Sequence, residues 1–418
     1  MKVVVIGGGP AGIMSALTAS ENGHEVVLVE KNTKIGRKLY ITGKGRCNVT
    51  NACDSREFIQ NVVSNPKFMM SSIRAFDTTA TQEFFENLGV PLKIERGNRV
   101  FPLSDKSSDI IDALLKALKS HSIDIRFETE LLDVVIKDDR IVSVVTNKGK
   151  IECEHLVLAT GGVSYPKTGS DGKGLSIAKK LGHNVIPTVG GLNEILLKGV
   201  LDYKNKLIST KETLLPEGLS LKNVSLSVIN KDNGKRLSYE FGEMLFTDQG
   251  LSGPIALTTS SRINRADFNS ILLKIDLKPA LDEQTLDKRI LSDLGSQSNR
   301  TFINSLTGLL PKSMIPYVIA VTGIPKDKIV NSITKEERLR LLKALKELTF
   351  QVKGLADIDR AIITAGGVST KQINPKTMKS TVIPNLSFAG EMIDVDAYTG
   401  GFNIQIALST GYSAGINI

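Results

Sequence analysis

The first thirty residues combine two short apolar runs with a glycine turn. Val3 to Ile6 form an apolar run typical of a strand that a parallel sheet buries on both faces. An alanine-rich helical segment follows and ends near Gly23, a residue type common at helix C-termini. Val26 to Val29 form a second apolar run, which Glu30 ends. The pattern predicts a strand–helix–strand unit.

Two later apolar runs also end in glycines. Leu156 to Ala159 lead into "TGG", and Leu386 to Ala389 lead into Gly390 and Glu391. A further glycine pair, in "TGGFN", opens a helical pattern near the C-terminus. Because parallel strands present their carboxyl ends at one sheet edge, a chain that returns there after a long excursion suggests one large ligand touched at several points.

Residues 188–355 have a different pattern. Apolar and polar positions alternate around Asp232-Asn233-Gly234, which predicts a hairpin of two strands. A helical pattern follows from about 282 to 315. We therefore expect a discontinuous domain of residues 1–187 and 356–418, interrupted by a β-rich insert at 188–355 with a small helical subdomain.

Composition narrows the possible partners. The chain has 53 basic and 44 acidic residues, a net charge of +9, no Trp and 5% aromatic residues. Its basic residues are scattered along the chain, and its few aromatic residues argue against a surface on which single-stranded bases could stack. A mildly basic, solvated surface is therefore the favoured explanation of the net charge. The apolar runs are too short for a signal peptide or a membrane span, and three cysteines suit a reducing compartment. We expect a cytoplasmic protein without a membrane anchor.

The first glycines have the spacing G-x-G-x-x-G and stand between a strand and a helix. Gly7 permits a tight turn, Gly9 lets a pyrophosphate approach the backbone, and Gly12 lets the helix lie close. The helix N-terminus offers N–H groups to phosphates. Glu30, eighteen residues after Gly12, can accept hydrogen bonds from ribose hydroxyls and disfavours NADP. The motif predicts a dinucleotide site, and the returns to the same edge favour FAD over NAD.

One further segment indicates which kind of FAD-binding protein this chain resembles. "GRKLYITGKGRCNVTN", Gly36 to Asn51, has neither the period of a helix nor that of a strand. It is similar to the "GRK…SGGGRCNxTN" signature of the HI0933-like (YhiN-like) flavoproteins, a family that includes an aminoacetone oxidase and BaiN-type bile-acid reductases. "ATGG" and "GEMIDVDAYTGGFNIQIA" also resemble that family. Two positions depart from the signature: Thr42 replaces its serine, and Lys44 its middle glycine.

The resemblance implies an α/β fold, the Rossmann-type two-dinucleotide-binding-domain FAD fold, with the insert shaping the substrate pocket. In such folds, the loop after Glu30 follows the pyrophosphate to the flavin. The implied FAD-binding residues are Gly7, Gly9, Pro10, Ala11, Gly12, Glu30, Lys31, Arg37, Lys38, Thr42, Gly43, Gly45, Arg46, Cys47, Asn48, Leu131, Ala159, Thr160, Gly161, Gly390, Glu391, Gly400, Gly401, Phe402, Asn403 and Ile404.

Roles within this set are expectations. Lys38 and Arg46 could counter phosphate or substrate charge. Glu391 is expected to bond ribityl or ribose hydroxyls. Asn48 could brace the loop. Cys47 is interpreted as a small packed residue rather than a nucleophile or half of a redox pair.

The expected catalytic residues are Lys44, Arg46 and Tyr398, with Tyr165 a further acid–base candidate. No metal site is expected, because the four histidines do not cluster.

The function expected is that of an FAD-dependent oxidoreductase acting on a small molecule. Lys44 could polarise an enone oxygen, which favours NADH-driven reduction of an enone-type double bond, as in bile-acid or steroid-like substrates. An amine oxidase of the aminoacetone type, using oxygen, is the alternative. A flavin-bearing RNA-binding or RNA-modification protein is less favoured. No second G-x-G-x-x-G unit follows, so NADH would dock only transiently.

Overall fold

A computed structural model describes residues 1–210 and 215–418 of the chain. The strands of this described part are β1 Lys2–Ile6, β2 Glu25–Val29, β3 Thr50–Asn51, β4 Leu92–Glu95, β5 Arg99–Pro102, β6 Asp124–Arg126, β7 Leu131–Lys137, β8 Arg140–Thr146, β9 Gly149–Glu152, β10 His155–Leu158, β11 Val185–Gly191, β12 Ile195–Leu201, β13 Leu207–Ser209, β14 Ser220–Asn230, β15 Arg236–Phe246, β16 Gly250–Ser252, β17 Ile271–Asp276, β18 Leu348–Leu355, β19 Ile363–Val368 and β20 Leu386–Phe388. Its α-helices are α1 Pro10–Glu21, α2 Arg37–Ile41, α3 Ser55–Gln60, α4 Pro66–Ala75, α5 Thr78–Asn87, α6 Ser107–Ser120, α7 Lys173–Lys180, α8 Pro254–Ile263, α9 Glu283–Gly295, α10 Phe302–Ser305, α11 Ile315–Thr322, α12 Lys335–Lys346 and α13 Phe402–Ile416.

A parallel sheet of five strands, in the order β20-β10-β1-β2-β6, carries the first glycine turn. The central strand β1 is buried on both faces, which explains its unbroken apolar run. Each fully buried Val or Leu side chain in such a strand contributes about 1.5–3 kcal/mol. All five strands run the same way, so Gly7, Glu30, Ala159 and Ala389 follow strands that end at one edge.

Helix α1 packs against α13 through small residues. A Cβ at Gly411 would overlap the carbonyl oxygen of Ala11, and the Ser15 Oγ donates to the Gly411 carbonyl over 3.0 Å. This close approach places the start of α13 near the start of α1. Ala11 also lies 2.7 Å from the position of a Cβ at Gly390, so the loop after β20 touches the first glycine turn.

The middle of the chain forms an antiparallel sheet in the order β13-β12-β16-β15-β14-β17-β18. An additional pairing of β12 with β18 closes six of these strands into a barrel. The hairpin expected around Asp232 to Gly234 is present and joins β14 to β15. Helices α9 to α12 belong to the same segment, so its helical part extends beyond 315 to Lys346. The barrel interior is a separate apolar core that includes Leu226 and Phe350.

The chain divides into two compact units, residues 1–191 with 357–418 and residues 192–356. The first contains the parallel sheet, and the second contains the barrel and its helices. The expected fold class, an α/β Rossmann-type FAD fold with an inserted β-rich part, is confirmed, and the structure adds further antiparallel sheets. Within the described ranges, no helix is both long enough and apolar enough to span a membrane.

Candidate FAD site

The G-x-G-x-x-G turn contains two glycines that the protein itself requires. Gly7 has φ +110°, and a Cβ there would overlap the Ala159 carbonyl oxygen. A Cβ at Gly12 would overlap the Gly7 carbonyl oxygen. Gly9 differs, because its φ is −84° and a Cβ there would meet no atom within 4 Å. Neither backbone conformation nor packing requires glycine at Gly9, so this position fits a ligand that approaches the backbone.

The N-termini of α1 and α13 have no capping side chain. Helix α1 begins after Gly9 with Pro10 in its first turn, and α13 begins after Gly401, which has φ +97°. Neither helix has an acidic residue in its first turn. A Cβ at Gly401 would overlap the Thr50 carbonyl oxygen, so α13 starts directly beside β3. Uncapped N-termini leave N–H groups and partial positive charge for an anionic ligand.

Glu30 is buried at the end of β2 and organises the turn around it. One carboxylate oxygen accepts from the Gly8 N–H over 2.7 Å, and the other accepts from the backbone N–H and the side-chain amide of Asn32. Arg37 donates to the Asn32 Oδ1 over 2.7 Å, and Lys31 pairs with Asp171 at 2.8 Å. The Lys31 and Arg37 side chains thus have protein partners, and their contact with FAD stays a prediction.

The segment Gly36 to Asn51 contains a five-residue helix, α2, although its sequence shows no helical period. Five residues are too few for an apolar stripe to repeat. A tight turn follows, in which Gly43, Lys44 and Gly45 have φ of 57°, 59° and 83°. Lys44 is exposed and occupies a left-handed conformation that favours glycine. This backbone conformation explains why the family signature has glycine at this position. Lys44 adopts the same conformation at a cost in conformational free energy.

Cys47 also has a left-handed φ, 59°, but is fully buried. Burial raises the pKa of its thiol to about 12. Cys53 is buried too, and neither cysteine is in a disulfide. A thiol that stays protonated is a poor nucleophile, which supports the interpretation of Cys47 as a packed residue.

Arg46 is held by carboxylates rather than directed at an open anion site. Its guanidinium pairs with Glu95 and Asp105 and lies 4.1 Å from the centre of the Phe101 ring. The bonds to Glu95 and Asp105 raise the pKa of Arg46 further, so it stays charged. Arg46 has the contacts of a residue that fixes the loop, and its catalytic role stays an untested prediction.

Lys38 and Glu391 form the centre of a polar cluster that joins four distant segments. The Lys38 Nζ lies 2.8 Å from both Glu391 oxygens and 2.7 Å from the Ser164 Oγ. The Glu391 Oε1 also accepts from the Ser164 hydroxyl and from the Thr364 N–H. Oε1 therefore has three donors and Oε2 one, which leaves Oε2 the greater capacity for a ligand hydroxyl.

Two buried amide oxygens in the segment Gly36 to Asn51 have no hydrogen-bond partner among the described residues. They are the Oδ1 atoms of Asn48 and Asn51. The Asn51 side-chain N–H groups donate to the Gly97 and Gly400 carbonyls, so its orientation is fixed. Buried polar groups are normally paired, so these acceptors leave room for donors from outside the polypeptide. Ring N–H and ribityl hydroxyl groups of FAD are donors of this kind.

The other predicted contacts divide into two groups. Asn403 fixes the loop before α13 through its amide, which bonds the backbone of Ala397 and the carbonyl of Tyr398. Thr42 donates its hydroxyl to the Leu39 carbonyl. Several others are held by packing: Thr160 against Gly174, Gly161 against Ser170, Phe402 against Phe58, and Ile404 and Leu131 against the apolar core.

Sequence reasoning missed Ser164, Thr364 and Gln405. Thr364 accepts from the Val163 and Ser164 N–H groups, and Gln405 accepts from the Thr50 hydroxyl inside the core. Ser164 lies in a glycine-containing loop and Thr364 lies in β19, two residues before a glycine pair, which is the only indication that the sequence offers for them. Gln405 lies within an apolar helical run, where a single sequence indicates no partner 355 residues away.

These features fit FAD. The open position at Gly9, two uncapped helix N-termini, a buried carboxylate at the end of β2 and two orphaned amide oxygens are the donors, acceptors and space that such a nucleotide needs. The first four suit a phosphate and ribose, and the asparagines suit the ring.

Comparison with known proteins agrees with this geometry. The family model of the HI0933-like protein Rossmann domain matches residues 1–417. The chain belongs to the HI0933-like family. It is 30% identical to a ribosomal RNA dihydrouridine synthase of Escherichia coli (strain K12), over 98% of this chain and 96% of that protein.

Two further comparisons extend the picture of this HI0933-like protein. The chain is 27% identical to a 3-dehydro-bile acid delta(4,6)-reductase of Clostridium scindens, over 99% and 98% of the two chains. Its fold is similar to that of a 3-ketosteroid-delta4-(5alpha)-dehydrogenase from Rhodococcus jostii RHA1, with a TM-score of 0.54, 14% identity and coverage of 99% and 96%. As a family member with this site, the protein is an FAD-dependent oxidoreductase.

Proposed function

We propose that this HI0933-like protein reduces a carbon–carbon double bond conjugated to a carbonyl group, with NADH as the electron donor. Support comes from two relatives that match over the full length, because dihydrouridine formation and bile-acid Δ4,6 reduction share this chemistry. FAD, when bound, supplies a hydride to one carbon of the double bond. The polypeptide then has to stabilise charge on the carbonyl oxygen and deliver a proton to the other carbon.

Lys44 is the proposed charge-stabilising residue. Its ammonium is on an exposed side chain in the left-handed turn after α2, where the signature of the family has glycine. A cation beside the carbonyl oxygen favours the negative charge that develops there. Tyr398, whose backbone N–H is fixed by the Asn61 carbonyl at 3.0 Å, is the proposed proton donor through its hydroxyl.

A uracil base in RNA is the proposed substrate. The overall composition argues against nucleic acid, but a relative named for ribosomal RNA reopens that hypothesis. Charge supports it: residues 192–356 contain 24 basic and 18 acidic side chains, so this unit carries +6 of the net +9. That unit is the proposed substrate-binding part. A 3-oxo steroid or bile acid is the second candidate, which the Clostridium scindens relative favours.

The first experiment is an anaerobic spectrum of the FAD-loaded protein before and after NADH. Loss of the flavin band near ~450 nm is expected, and an unchanged band would contradict the NADH step. The reduced protein is then given ribosomal RNA lacking dihydrouridine, or a 3-oxo-4-ene steroid. Dihydrouridine detected by nucleoside mass spectrometry supports RNA, and loss of enone absorbance supports the steroid. Hydrogen peroxide formed from an amine, without either product, would indicate the oxidase instead.

A further inference from the structure

The outer face of β15 exposes three large apolar side chains in a row. Leu237, Tyr239 and Phe241 are 52%, 46% and 56% exposed. They alternate with Ser238, which is buried, as the two-residue period of a strand requires. Single exposed apolar residues are ordinary, but a contiguous row on one strand marks a contact surface. We call these three residues the β15 row.

Neighbouring strands do not cover the β15 row. Tyr239 lies directly opposite Ser227 of β14, and Phe241 lies opposite Ser225. Val228 and Leu226, on the other face of β14, fill the barrel core. Both rings therefore lie beside small hydroxyl side chains, and about half of each aromatic residue stays exposed to a ligand.

Basic residues surround this row at the hairpin end. Lys231, Lys235 and Arg236 are all exposed at the turn between β14 and β15. The Arg236 guanidinium lies 5.1 Å from the centre of the Tyr239 ring. Lys274 of β17 lies beside Ser227, in the same cross-strand line as Tyr239.

Acidic residues on the same face lie mostly away from the hairpin end. Glu243 and Asp276 are at the opposite end of the strands, and Asp276 pairs with Lys346 at 2.5 Å. Lys274 pairs with Glu347 at 3.0 Å. Asp232 is the acidic residue within the turn itself. The hairpin end is therefore net positive.

We propose that the β15 row binds unpaired bases of the RNA substrate, and that Lys231, Lys235 and Arg236 contact the adjoining phosphates. Exposed aromatic rings on a sheet, bordered by cations, stack single-stranded bases with little sequence preference. The positive rim favours a polyanion over a second copy of this positively charged chain. This inference rests on RNA being the substrate, as proposed above, and adds where the RNA is held.

The test measures binding of a short fluorescein-labelled oligouridylate to the full-length FAD-loaded protein by anisotropy. Phe241→Thr and Tyr239→Thr are each expected to raise Kd by roughly 5- to 150-fold, the range found when one base-stacking ring is removed. Tyr239→Phe keeps a ring and should bind like the unchanged protein. Leu339→Ala, which alters an exposed apolar residue of α12 in the same unit, is the matched control and should leave Kd unchanged.

The basic residues are tested separately. Lys231→Gln with Lys235→Gln should reduce the slope of log Kd against log salt by about 0.7 for each phosphate that no longer meets a cation. The aromatic variants should keep the slope of the unchanged protein. NADH-driven loss of the flavin band should be unchanged in every variant, which would show that the FAD site is intact.

Two outcomes separate this inference from the proposed function. If the unchanged protein neither binds oligouridylate nor forms dihydrouridine, both the RNA substrate and the β15 site are refuted. If it does both, but Tyr239→Thr and Phe241→Thr bind as tightly as the Leu339→Ala control, only the β15 site is refuted. A dimer that Phe241→Thr converts to monomer, with RNA affinity unchanged, would show that the row joins two copies instead.

Discussion

Replacing Lys44 by glycine should make the protein more stable and less active. Lys44 has φ 59° and ψ 41°, a left-handed conformation that costs a residue with a Cβ about 1–2 kcal/mol. Glycine removes that cost but loses about 0.5–1 kcal/mol through the greater freedom of the unfolded chain. The net gain is about 0.5–1 kcal/mol. For a unit of this size that corresponds to a rise in Tm of about 1–4 °C.

Lys44→Ala provides the matched control, because alanine removes the ammonium but keeps the strained backbone. We expect Lys44→Gly to unfold at a higher temperature than Lys44→Ala, measured by differential scanning calorimetry of the two proteins without FAD. Both variants should lose turnover of the enone or uracil substrate to the same extent. The expected loss in kcat is about tenfold, since an exposed cation stabilises developing charge less than a buried donor does.

The two measurements test different parts of the reasoning. A Lys44→Gly protein that is no more stable than Lys44→Ala would refute the strain argument. Turnover that is unaffected in both variants, with FAD saturating, would refute the role of the Lys44 ammonium. Lys44→Arg should retain most turnover if charge alone matters, since arginine remains cationic.

Three further predictions concern the unit of residues 1–191 with 357–418. Gly9→Ala should fold with a Tm within about 2 °C of the unchanged protein but bind FAD weakly in a fluorescence titration. Gly12→Ala should instead lower the Tm even without FAD, because its Cβ would overlap the Gly7 carbonyl. Burial lowers the pKa of His155 to about 3, whereas a histidine in the unfolded chain has a pKa of about 6.5, so between these values the unfolded chain binds one more proton. As the pH falls from about 6.5 to 3, the free energy of unfolding should therefore fall by up to about 1.4 kcal/mol per pH unit. His155→Gln should flatten that part of a curve of Tm against pH. Burial raises the pKa of Cys47 to about 12 and of Cys53 and Cys153 to about 11, so a maleimide at pH 8 should label the unfolded chain and spare the native one; rapid native labelling would contradict the assigned packing.

Local patterns are sufficient to predict the parallel sheet and the hairpin. The apolar runs beginning at Val3, Val26, Leu156 and Leu386 all form neighbouring strands, because a run buried on both faces has few alternatives to a central parallel position. The hairpin turn requires a left-handed glycine, and Gly234 with φ 69° supplies it. In each case one short stretch of sequence is enough to predict the local structure.

Long-range polar pairing cannot be predicted in the same way. The sequence favours an anionic ligand for Lys38, yet a carboxylate that it contacts belongs to Glu391, 353 residues further along the chain. A lysine has the same local sequence whether it meets a phosphate or a carboxylate. The low aromatic content is similarly uninformative, because two of the few rings stand side by side on β15. Spatial clustering, rather than composition, decides whether such residues form a surface.

The glycines of the FAD site show that the sequence motif and the structure together explain more glycine positions than either does alone. At Gly7, Gly12 and Gly401, protein atoms occupy the space of a Cβ, so the fold itself accounts for the residue. By contrast, Gly9 has an ordinary φ and open space beside it, so neither backbone strain nor packing applies there. That space leaves room for a group outside the polypeptide at the start of α1, and a helix N-terminus without a capping side chain favours a phosphate there.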